Sequence, residues 1–478
     1  MVDLNVSNSQ RLENLALKPD IKLFRDGNHS VLQIGDLQLP MHNNIAVVLS
    51  LFNGERSLDL VIEMVKIIFK MEHKKAIVYT ESIVHRFNPF FVNEMNPKDN
   101  PNCYLDSRDF SGGNYDYKLP TKYPVPVVMS INTTFHCDRK CIYCYLNAKH
   151  DSVIEEECIS NERLRGIINE AADIGVCKIV FIGGEPFLRK DTIEMLKLCS
   201  ERRIHSQVTT KAYLSDHQLD ELAKIDFFEM ILSYDINDEK ICNEMSGDPH
   251  MYQEIDSTLK RAMEKNIKVC IAPVLCTLNA DSFLDFITYL TKLNVHKISV
   301  TRYFKSIGRH DDHLQLDQKK WNQLKEDSRK INQDIRFSDE NINLVRDTWS
   351  IIEEEFYVHN PTTCSQGRTN MTVLPDGKVS YCGFLVRMNE YLTYGDLKEQ
   401  SILEAWHSDR LMRVINPQRE MYKNSPCFDC SSFDDCPFRM KCINQSYIES
   451  KTFFAPSQQG RFHCSKYKQL TSVMGAII

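Results

Sequence analysis

Cysteine is the residue type in this 478-residue chain that most clearly points to chemistry, with 17 copies. Three of them, Cys137, Cys141 and Cys144, lie in the segment HCDRKCIYCYLNA with the spacing C-x3-C-x2-C. Three closely spaced thiolates in one loop can hold three irons of a [4Fe–4S] cluster and leave the fourth iron open to a small molecule. Zinc sites prefer paired C-x2-C motifs or histidine partners. The spacing therefore favours an iron–sulfur cluster over a zinc knuckle.

A second group of cysteines fills the C-terminal part of the chain. Its members are Cys364, Cys382, Cys427, Cys430, Cys436, Cys442 and Cys464. The N-terminus lacks the basic and apolar regions of a signal peptide, so we expect a cytoplasmic protein, in which disulfides are disfavoured. Soft thiolates in this number indicate cluster ligation, with a zinc ribbon as the alternative. Isolated cysteines such as Cys177 and Cys270 are expected to be small core residues.

Composition limits the partners. Acidic residues number 65 against 58 basic ones, for a formal net charge of −7, which argues mildly against nucleic acid or an anionic membrane. No run of 18 apolar residues occurs, so we expect no transmembrane helix.

Strand-like and helical patterns alternate from Val127 onward, which predicts a parallel sheet. The predicted strands are 127–132, 177–183, 205–210, 228–235, 268–275 and 296–302, and the predicted helices are 160–174, 191–202, 214–224, 252–265 and 281–293. Six repeats are too few for an eight-fold barrel, so we predict an α/β fold with a partial (β/α)6 TIM-like barrel. The cysteine loop follows the first strand at its carboxyl end, where active sites of parallel α/β folds gather.

The remaining segments differ in character. Residues 18–91 read as three strands and then three helices, with Ser57 as a helix N-cap, which suggests a winged helix-turn-helix. From Cys364 the chain shows little periodicity. The predicted units are a winged-helix domain at 1–91, a linker at 92–126, the barrel at 127–316, a helical bridge at 317–363 and a cysteine-rich domain at 364–478.

The cysteine spacing, with Tyr143 before the last cysteine, resembles the signature of radical S-adenosylmethionine (SAM) enzymes. The resemblance implies that the open iron chelates SAM, and that an electron from the cluster cleaves it to methionine and a hydrogen-abstracting 5′-deoxyadenosyl radical. The segment FIGGEPF after the second strand resembles the family's GGEP motif, which implies that Gly183, Gly184, Glu185 and Pro186 contact the SAM amino group.

Other SAM contacts implied by the resemblance are less specific. Ser233 and Asp235 stand where the family often places a serine and an aspartate, and Arg302 could meet the SAM carboxylate. Each could equally have a local structural role. Where the family often has Thr-Asn-Gly, this chain has Thr210-Lys211-Ala212, which departs from the pattern.

The C-terminal cysteines resemble the SPASM extension of radical SAM enzymes that modify peptides and proteins, in which seven cysteines support two auxiliary [4Fe–4S] clusters. The resemblance implies one cluster on Cys364, Cys382 and Cys442, and another on Cys427, Cys430, Cys436 and Cys464. Five residues separate Cys436 from Cys442 where the family has three. The fourth ligand of the first cluster is either open or His359.

The N-terminal segment resembles the small PqqD-like winged-helix domains that recognise precursor peptides. The resemblance implies that a leader peptide binds at residues 18–91 by adding a strand to the sheet. The alternative, a DNA-binding winged helix, is disfavoured because SLDLVIEMVKIIFK lacks a cluster of Arg and Lys.

Together these resemblances imply a radical SAM/SPASM peptide maturase that forms a thioether, carbon–carbon or ether crosslink in a ribosomally made peptide. It would carry three [4Fe–4S] clusters and SAM, and take electrons from a donor such as flavodoxin or ferredoxin. Alternatives are a formylglycine-type sulfatase maturase, disfavoured because Gly383 stands where that subfamily has an aspartate, a peptide epimerase, a small-molecule enzyme, or an iron–sulfur DNA-binding regulator. The peptide, the bond formed, the catalytic base and the oligomeric state stay open.

Overall fold

The structure of the protein is a computed structural model. This structure describes residues 14–26, 29–93, 97–111, 122–146, 148–150, 158–306, 311–337, 364–385, 392–431, 433 and 442–455. Two of the predicted cluster ligands, Cys436 and Cys464, lie outside the described residues, as does His359. No helix in the described part of the chain is long and apolar enough to cross a membrane.

The N-terminal region contains the predicted three strands and three helices, preceded by one short strand. The elements are β1 (Leu15–Leu17), β2 (Ile21–Asp26), β3 (His29–Ile34), β4 (Leu37–Met41), α1 (Asn43–Leu51), α2 (Leu58–Phe69), α3 (His73–Phe87) and β5 (Phe91–Asn93). Strands β2, β3 and β4 form an antiparallel sheet in that order. Ser57 caps α2 by accepting a hydrogen bond from the Leu60 N–H, as predicted. The assignment as a winged helix-turn-helix stays a prediction.

A parallel sheet forms the centre of the molecule, and all six predicted strands are present, the fifth as two short pieces. Its strands and helices are β6 (Val128–Asn132), α4 (Asn161–Asp173), β7 (Lys178–Ile182), α5 (Thr192–Glu201), β8 (His205–Thr210), α6 (Asp216–Leu222), β9 (Phe228–Leu232), α7 (Glu239–Ser246), α8 (Met251–Glu264), β10 (Val269–Ile271), β11 (Val274–Leu275), α9 (Phe283–Lys292), β12 (Lys297–Arg302), α10 (Gln318–Ile331) and β13 (Arg336–Phe337). The spatial order β11-β12-β10-β9-β8-β7-β6 is open, which is consistent with a partial barrel. Helix α7 was not predicted.

The C-terminal region is more regular than its sequence suggested. It contains β14 (Asn370–Val373), β15 (Lys378–Ser380), β16 (Thr393–Asp396), α11 (Ile402–Trp406), α12 (Asp409–Ile415) and α13 (Ile443–Ser450). Strand β14 pairs in parallel with β6 and continues the central sheet, and β15 and β16 follow in antiparallel order. The low periodicity of the sequence from Cys364 onward did not reveal these elements, since strands this short carry little periodicity.

The N-terminal elements dock on the amino ends of the central strands. Arg86 of α3 is 3% exposed and donates to the Gly175 carbonyl and to the Cys177 sulfur, just before β7. The Asn88 side-chain amide donates to the Arg203 carbonyl at 2.6 Å, just before β8. These contacts lie at the end of the sheet opposite to the cysteine loop.

The described parts of the predicted linker pack against the N-terminal and the C-terminal regions of the chain. Asn102 donates to the Lys18 and Ile21 carbonyls, which ties residues 97–111 to β2. Further along, the Tyr123 N–H donates to the Arg368 carbonyl at 2.8 Å, and the buried Trp406 indole donates to the Tyr123 carbonyl at 2.8 Å. Both segments of the predicted linker are therefore held by hydrogen bonds to other parts of the fold.

Candidate active site at the cysteine loop

The cysteine loop leaves the carboxyl end of β6 and is held by its own backbone. The Cys137 N–H donates to the Lys149 carbonyl at 2.8 Å, and the Lys149 N–H donates to the Phe135 carbonyl at 2.9 Å. The Cys144 N–H closes a turn on the Cys141 carbonyl at 3.1 Å. These bonds fold the three cysteines into one compact loop, as their spacing predicted.

The end of α7 holds the loop from one side. The Lys140 N–H donates to the Ser246 carbonyl at 2.9 Å, and the Ile142 N–H donates to the Met245 carbonyl at 3.0 Å. Gly247 ends the helix in the left-handed region, at φ +64°, with its Cα facing the Lys140 backbone.

Arg139 adds a buried ionic contact to the same side. Its guanidinium donates to the carboxylates of Asp248 and Glu254, so the loop is tied to α8 as well. Since an unpaired buried charge is costly, the three charges are expected to stay together.

The GGEP turn at the end of β7 holds the loop from the other side. The Gly184 N–H donates to the Thr134 carbonyl at 2.7 Å, and the Glu185 N–H donates to the His136 carbonyl at 2.8 Å. A Cβ on Gly184 would lie 1.8 Å from the His136 carbonyl oxygen, so only glycine allows this approach. The turn and the cysteine loop are therefore packed backbone to backbone.

Glu185 is buried and its carboxylate accepts three hydrogen bonds. The donors are the Thr210 hydroxyl at 2.7 Å, the Lys211 N–H at 3.0 Å and the Phe187 N–H at 3.1 Å. Burial raises the pKa of Glu185 to about 7, although these donors oppose the change. Glu185 thereby links the ends of β7 and β8, and the buried Pro186 follows it as the first residue of a 3-10 turn.

Three side chains from different elements meet next to the cysteine loop. The Tyr143 hydroxyl donates to the Asp235 carboxylate, which also forms an ion pair with the Lys211 ammonium at 2.6 Å. The Ser233 carbonyl accepts from the same ammonium. The structure thus brings Tyr143, Ser233 and Asp235 together with Lys211, while their assignment as SAM contacts stays a prediction.

Arg302, the sixth-strand candidate, is engaged on α10. Its guanidinium donates to the Leu316 carbonyl and to the Gln318 side chain at 2.7 Å, and lies 5.7 Å from the centre of the Trp321 ring. Its assignment to the SAM carboxylate stays a prediction.

The donor set of the loop suits a cluster of soft metal ions. Burial raises the pKa of Cys137 to about 12 and that of Cys141 to about 11, so in the protein without metal these groups are neutral thiols. Within the described ranges, no three His, Cys, Asp or Glu side chains converge as the ligands of one metal ion would. Three soft thiolates supplied by one loop suit the irons of an iron–sulfur cluster.

A cavity of about 320 Å³ opens beside Glu185. Its wall includes the carboxylates of Asp138, Glu185 and Glu254, the guanidinium of Arg139, and the Tyr213 ring. Its volume lies at the lower end of small-molecule sites, and its excess of carboxylates favours a cationic ligand.

The first predicted auxiliary group is brought together by the fold. Cys364, Cys382 and Cys442 lie within electrostatic reach of one another, and burial, followed by the neighbouring Cys442, raises the pKa of Cys364 to about 11. Tyr145, which follows Cys144, packs edge-on against Phe384 with ring centres 4.8 Å apart. The cysteine loop and the Cys382 segment are therefore in contact.

The second predicted auxiliary group is described only in part. The Cys430 N–H donates to the Cys427 carbonyl at 3.2 Å, which forms a turn. Arg419 donates to the carbonyls of Phe428 at 3.1 Å and Cys430 at 2.8 Å and so holds this turn.

Several functional candidates were missed by sequence reasoning. Lys211 was noted only as a departure from Thr-Asn-Gly, although its place directly after a predicted strand put it at the same edge of the sheet as the cysteine loop. Arg139 lies inside the cysteine motif, but its partners Asp248 and Glu254 are more than a hundred residues away along the chain. No local pattern could have paired them.

Comparison with known families identifies two domains. The model of the Radical SAM superfamily matches residues 131–290, and that of SPASM, an iron–sulfur cluster-binding domain, matches residues 364–431. The chain therefore contains one segment that matches the radical SAM model, followed by a second segment that matches the SPASM model.

Two curated relatives match only part of the chain. The PqqA peptide cyclase of Bradyrhizobium diazoefficiens is 24% identical over 179 residues, which are 37% of this chain and 47% of that protein. The Fe-coproporphyrin III synthase of Methanosarcina barkeri is 36% identical over 109 residues, which are 23% of this chain and 26% of that protein. The chain thus spans less than half the length of either relative.

Solved structures match over a larger part of the chain. Streptococcus suis SuiB bound to precursor peptide SuiA has a TM-score of 0.61 and 19% identity, and covers 93% of this chain and 99% of that chain. SuiB bound to S-adenosylmethionine has a TM-score of 0.60 and 20% identity, with the same coverage. At this identity the likeness concerns the fold.

Proposed function

We propose that this protein is a radical SAM peptide maturase that introduces an intramolecular crosslink into a ribosomally made precursor peptide. In this proposal Cys137, Cys141 and Cys144 hold a [4Fe–4S] cluster. The observation that carries the proposal is the backbone-to-backbone packing of this cysteine loop on the GGEP turn at the carboxyl ends of β6 and β7.

When bound and reduced, the cluster supplies the electron that cleaves SAM to methionine and a 5′-deoxyadenosyl radical, which takes a hydrogen atom from the substrate. The residues of the chain then have separate tasks. Gly183 to Pro186 and Ser233 bind and orient SAM, and Asp235 and Tyr143 line the same site. The carboxylates beside the cavity attract the cationic cofactor and thereby raise its local concentration.

Two auxiliary [4Fe–4S] clusters complete the proposed enzyme. One takes Cys364, Cys382 and Cys442, and the second takes Cys427, Cys430, Cys436 and Cys464. Clusters held by these cysteines would supply an acceptor for one of the two electrons that crosslink formation removes from the peptide. The contact between Tyr145 and Phe384 supports a short path between the two cysteine segments.

The precursor peptide is proposed to bind at residues 18–91. Two observations support this: SuiB, whose fold is similar, was solved with a precursor peptide, and helix α2 exposes Leu60, Ile67 and Ile68. A peptide that adds a strand beside β2 or β4 could bury such apolar groups. We further propose that flavodoxin or ferredoxin supplies the electrons and that the enzyme acts in the cytoplasm.

The first test is iron and sulfide per chain after anaerobic reconstitution, for wild type and for the Cys137/Cys141/Cys144→Ala variant. Three clusters predict roughly 12 irons, which fall to about 8 in the variant. Wild type should also form 5′-deoxyadenosine from SAM with dithionite, and the variant should not. Zinc in place of iron would refute the radical mechanism.

The second test is co-expression with short peptides encoded beside the gene. A crosslink removes two hydrogen atoms, so the peptide mass falls accordingly. A peptide whose mass is unchanged in H₂O but which takes up deuterium in D₂O would indicate epimerisation instead. Conversion of a serine or cysteine to formylglycine would indicate a sulfatase-type maturase.

The role of residues 18–91 is tested with Ile67→Glu, at a side chain 71% exposed, so that folding is preserved. We expect weaker binding of a modified peptide's leader in a fluorescence titration. Met412→Glu, at another exposed apolar residue on α12, is the matched control and should bind normally. Equal affinity of both variants and wild type would argue against this surface.

A further inference from the structure

Lys211 is a largely buried residue whose backbone and side chain both form hydrogen bonds to neighbouring strand ends. It directly follows β8, and its side chain is 11% exposed. Its backbone N–H donates to Glu185 at 3.0 Å, while its ammonium binds the Ser233 carbonyl and the Asp235 carboxylate. The residue therefore joins the ends of β7, β8 and β9 at one point.

Asp235 is held so tightly that its carboxylate has one orientation. Its side chain is 2% exposed. The Val274 N–H donates to Oδ1 at 2.9 Å, and the Lys211 ammonium and the Tyr143 hydroxyl share Oδ2. A buried carboxylate without a cation would be strongly unfavourable, so the fixed acceptor for Tyr143 depends on Lys211.

Tyr143 is the link from this ion pair to the cysteine loop. It lies between Cys141 and Cys144 along the chain, and the Lys211 nitrogen is 5.6 Å from the centre of its ring. At this distance the cation also attracts the face of the ring. Moving the hydroxyl anchor would thus move the segment that carries two of the three cysteines.

We propose that Lys211 is a positioning residue for the cysteine loop, acting through Asp235 and Tyr143. This inference rests on the proposed function, since the loop is taken to hold the cluster. The positive charge of Lys211 is also expected to affect the reduction potential of a cluster in this loop. An ammonium near the loop stabilises the reduced, more negative cluster, so it raises the reduction potential.

The test uses the reconstituted full-length chain and measures the rate at which a ferrous chelator removes iron. The variants are Lys211→Met, Tyr143→Phe and the double variant, and the Cys137/Cys141/Cys144→Ala variant gives the rate for iron bound elsewhere. We expect each single variant to speed iron loss from the loop on the order of tenfold. Because both act through one connection, the double variant should also be about tenfold faster, whereas independent effects would multiply to about a hundredfold.

Two further readouts separate positioning from a loss of overall stability. Lys211→Arg keeps the charge and should restore the slow rate. In a redox titration followed by electron paramagnetic resonance, the signal that responds to added SAM should shift to a more negative potential in Lys211→Met. Lys224→Met is the matched control, because Lys224 pairs with Glu221 at the same 2.6 Å but is exposed. It should leave both quantities unchanged.

The outcomes are distinct. If wild type has no iron that depends on the three cysteines, both this inference and the proposed function fail. If wild type holds the cluster but the Lys211 and Tyr143 effects multiply, or the potential does not move, only this inference fails. Should Lys211→Met not fold, Lys211→Met with Asp235→Asn removes both buried charges and replaces it in the cycle.

Discussion

The clearest consequence of the site geometry concerns Gly184. A Cβ at this position would lie 1.8 Å from the His136 carbonyl oxygen and 2.5 Å from its carbonyl carbon. These are backbone atoms, so no side-chain rotation can relieve the overlap. In Gly184→Ala the GGEP turn and the cysteine loop must separate by more than about 1 Å to restore ordinary contact distances.

The expected loss of folding free energy follows from the hydrogen bonds that this separation breaks. The bonds from the Gly184 N–H to Thr134 and from the Glu185 N–H to His136, at 2.7 and 2.8 Å, are lost or stretched, at about 1 kcal/mol each. Overpacking adds about 1–3 kcal/mol. The total is about 3–5 kcal/mol, concentrated at the loop that is proposed to hold the cluster.

Two measurements check this prediction. Iron per chain after reconstitution should fall from roughly 12 to about 8, as in the cysteine variant. The thermal midpoint of the iron-free, reduced protein should fall by several degrees. Gly166→Ala on α4 is the control, since its Cβ would meet only Arg163 at 3.6 Å, an ordinary contact, and alanine favours the helix by about 0.5–1 kcal/mol. Normal iron content and stability in Gly184→Ala would refute the reasoning.

Three further predictions concern other parts of the molecule. Because burial raises the pKa of Glu185 from 4.5 to about 7, the iron-free protein should lose about 3 kcal/mol of stability as the pH rises through this window, and Glu185→Gln should remove that pH dependence in denaturant titrations at a series of pH values. Phe90→Ala removes a buried ring that packs on Gly175 at the base of the barrel, and should lower the free energy of unfolding by about 3–5 kcal/mol in the same assay. An unchanged midpoint would show that this contact is not tight. Arg419→Met removes the donors to the carbonyls of Phe428 and Cys430, and should reduce the iron content by about 4 per chain without changing the signal that responds to SAM.

The strands and helices of the barrel were predictable because each is encoded locally. Predicted strand 205–210 coincides with β8, and the others differ by a few residues at their ends. The predicted strand at 268–275 is instead two short strands, β10 and β11, separated by Ala272 and Pro273. Proline lacks the N–H that a continuous ladder would need, so the interruption has a local cause.

Other elements could not be read from the sequence because their partners are distant. Strand β1 has three residues and pairs with β5, more than seventy positions later. Strand β14 pairs with β6 across more than 230 positions and makes the C-terminal segment part of the central sheet. Such short strands are stabilised by the partner rather than by their own pattern.

The sequence by itself determined which residues could do chemistry and at which end of the sheet they stand. Spacing within one loop placed Cys137, Cys141 and Cys144 together, and the position of GGEP after a strand put it at the same edge. Only the tertiary structure decided how these pieces are joined. The contact of Gly184 with His136, and the chain from Lys211 through Asp235 to Tyr143, depend on the packing of strand ends that are far apart in sequence. Burial turns those contacts into constraints, because a buried charge or backbone group must find its partner inside the protein.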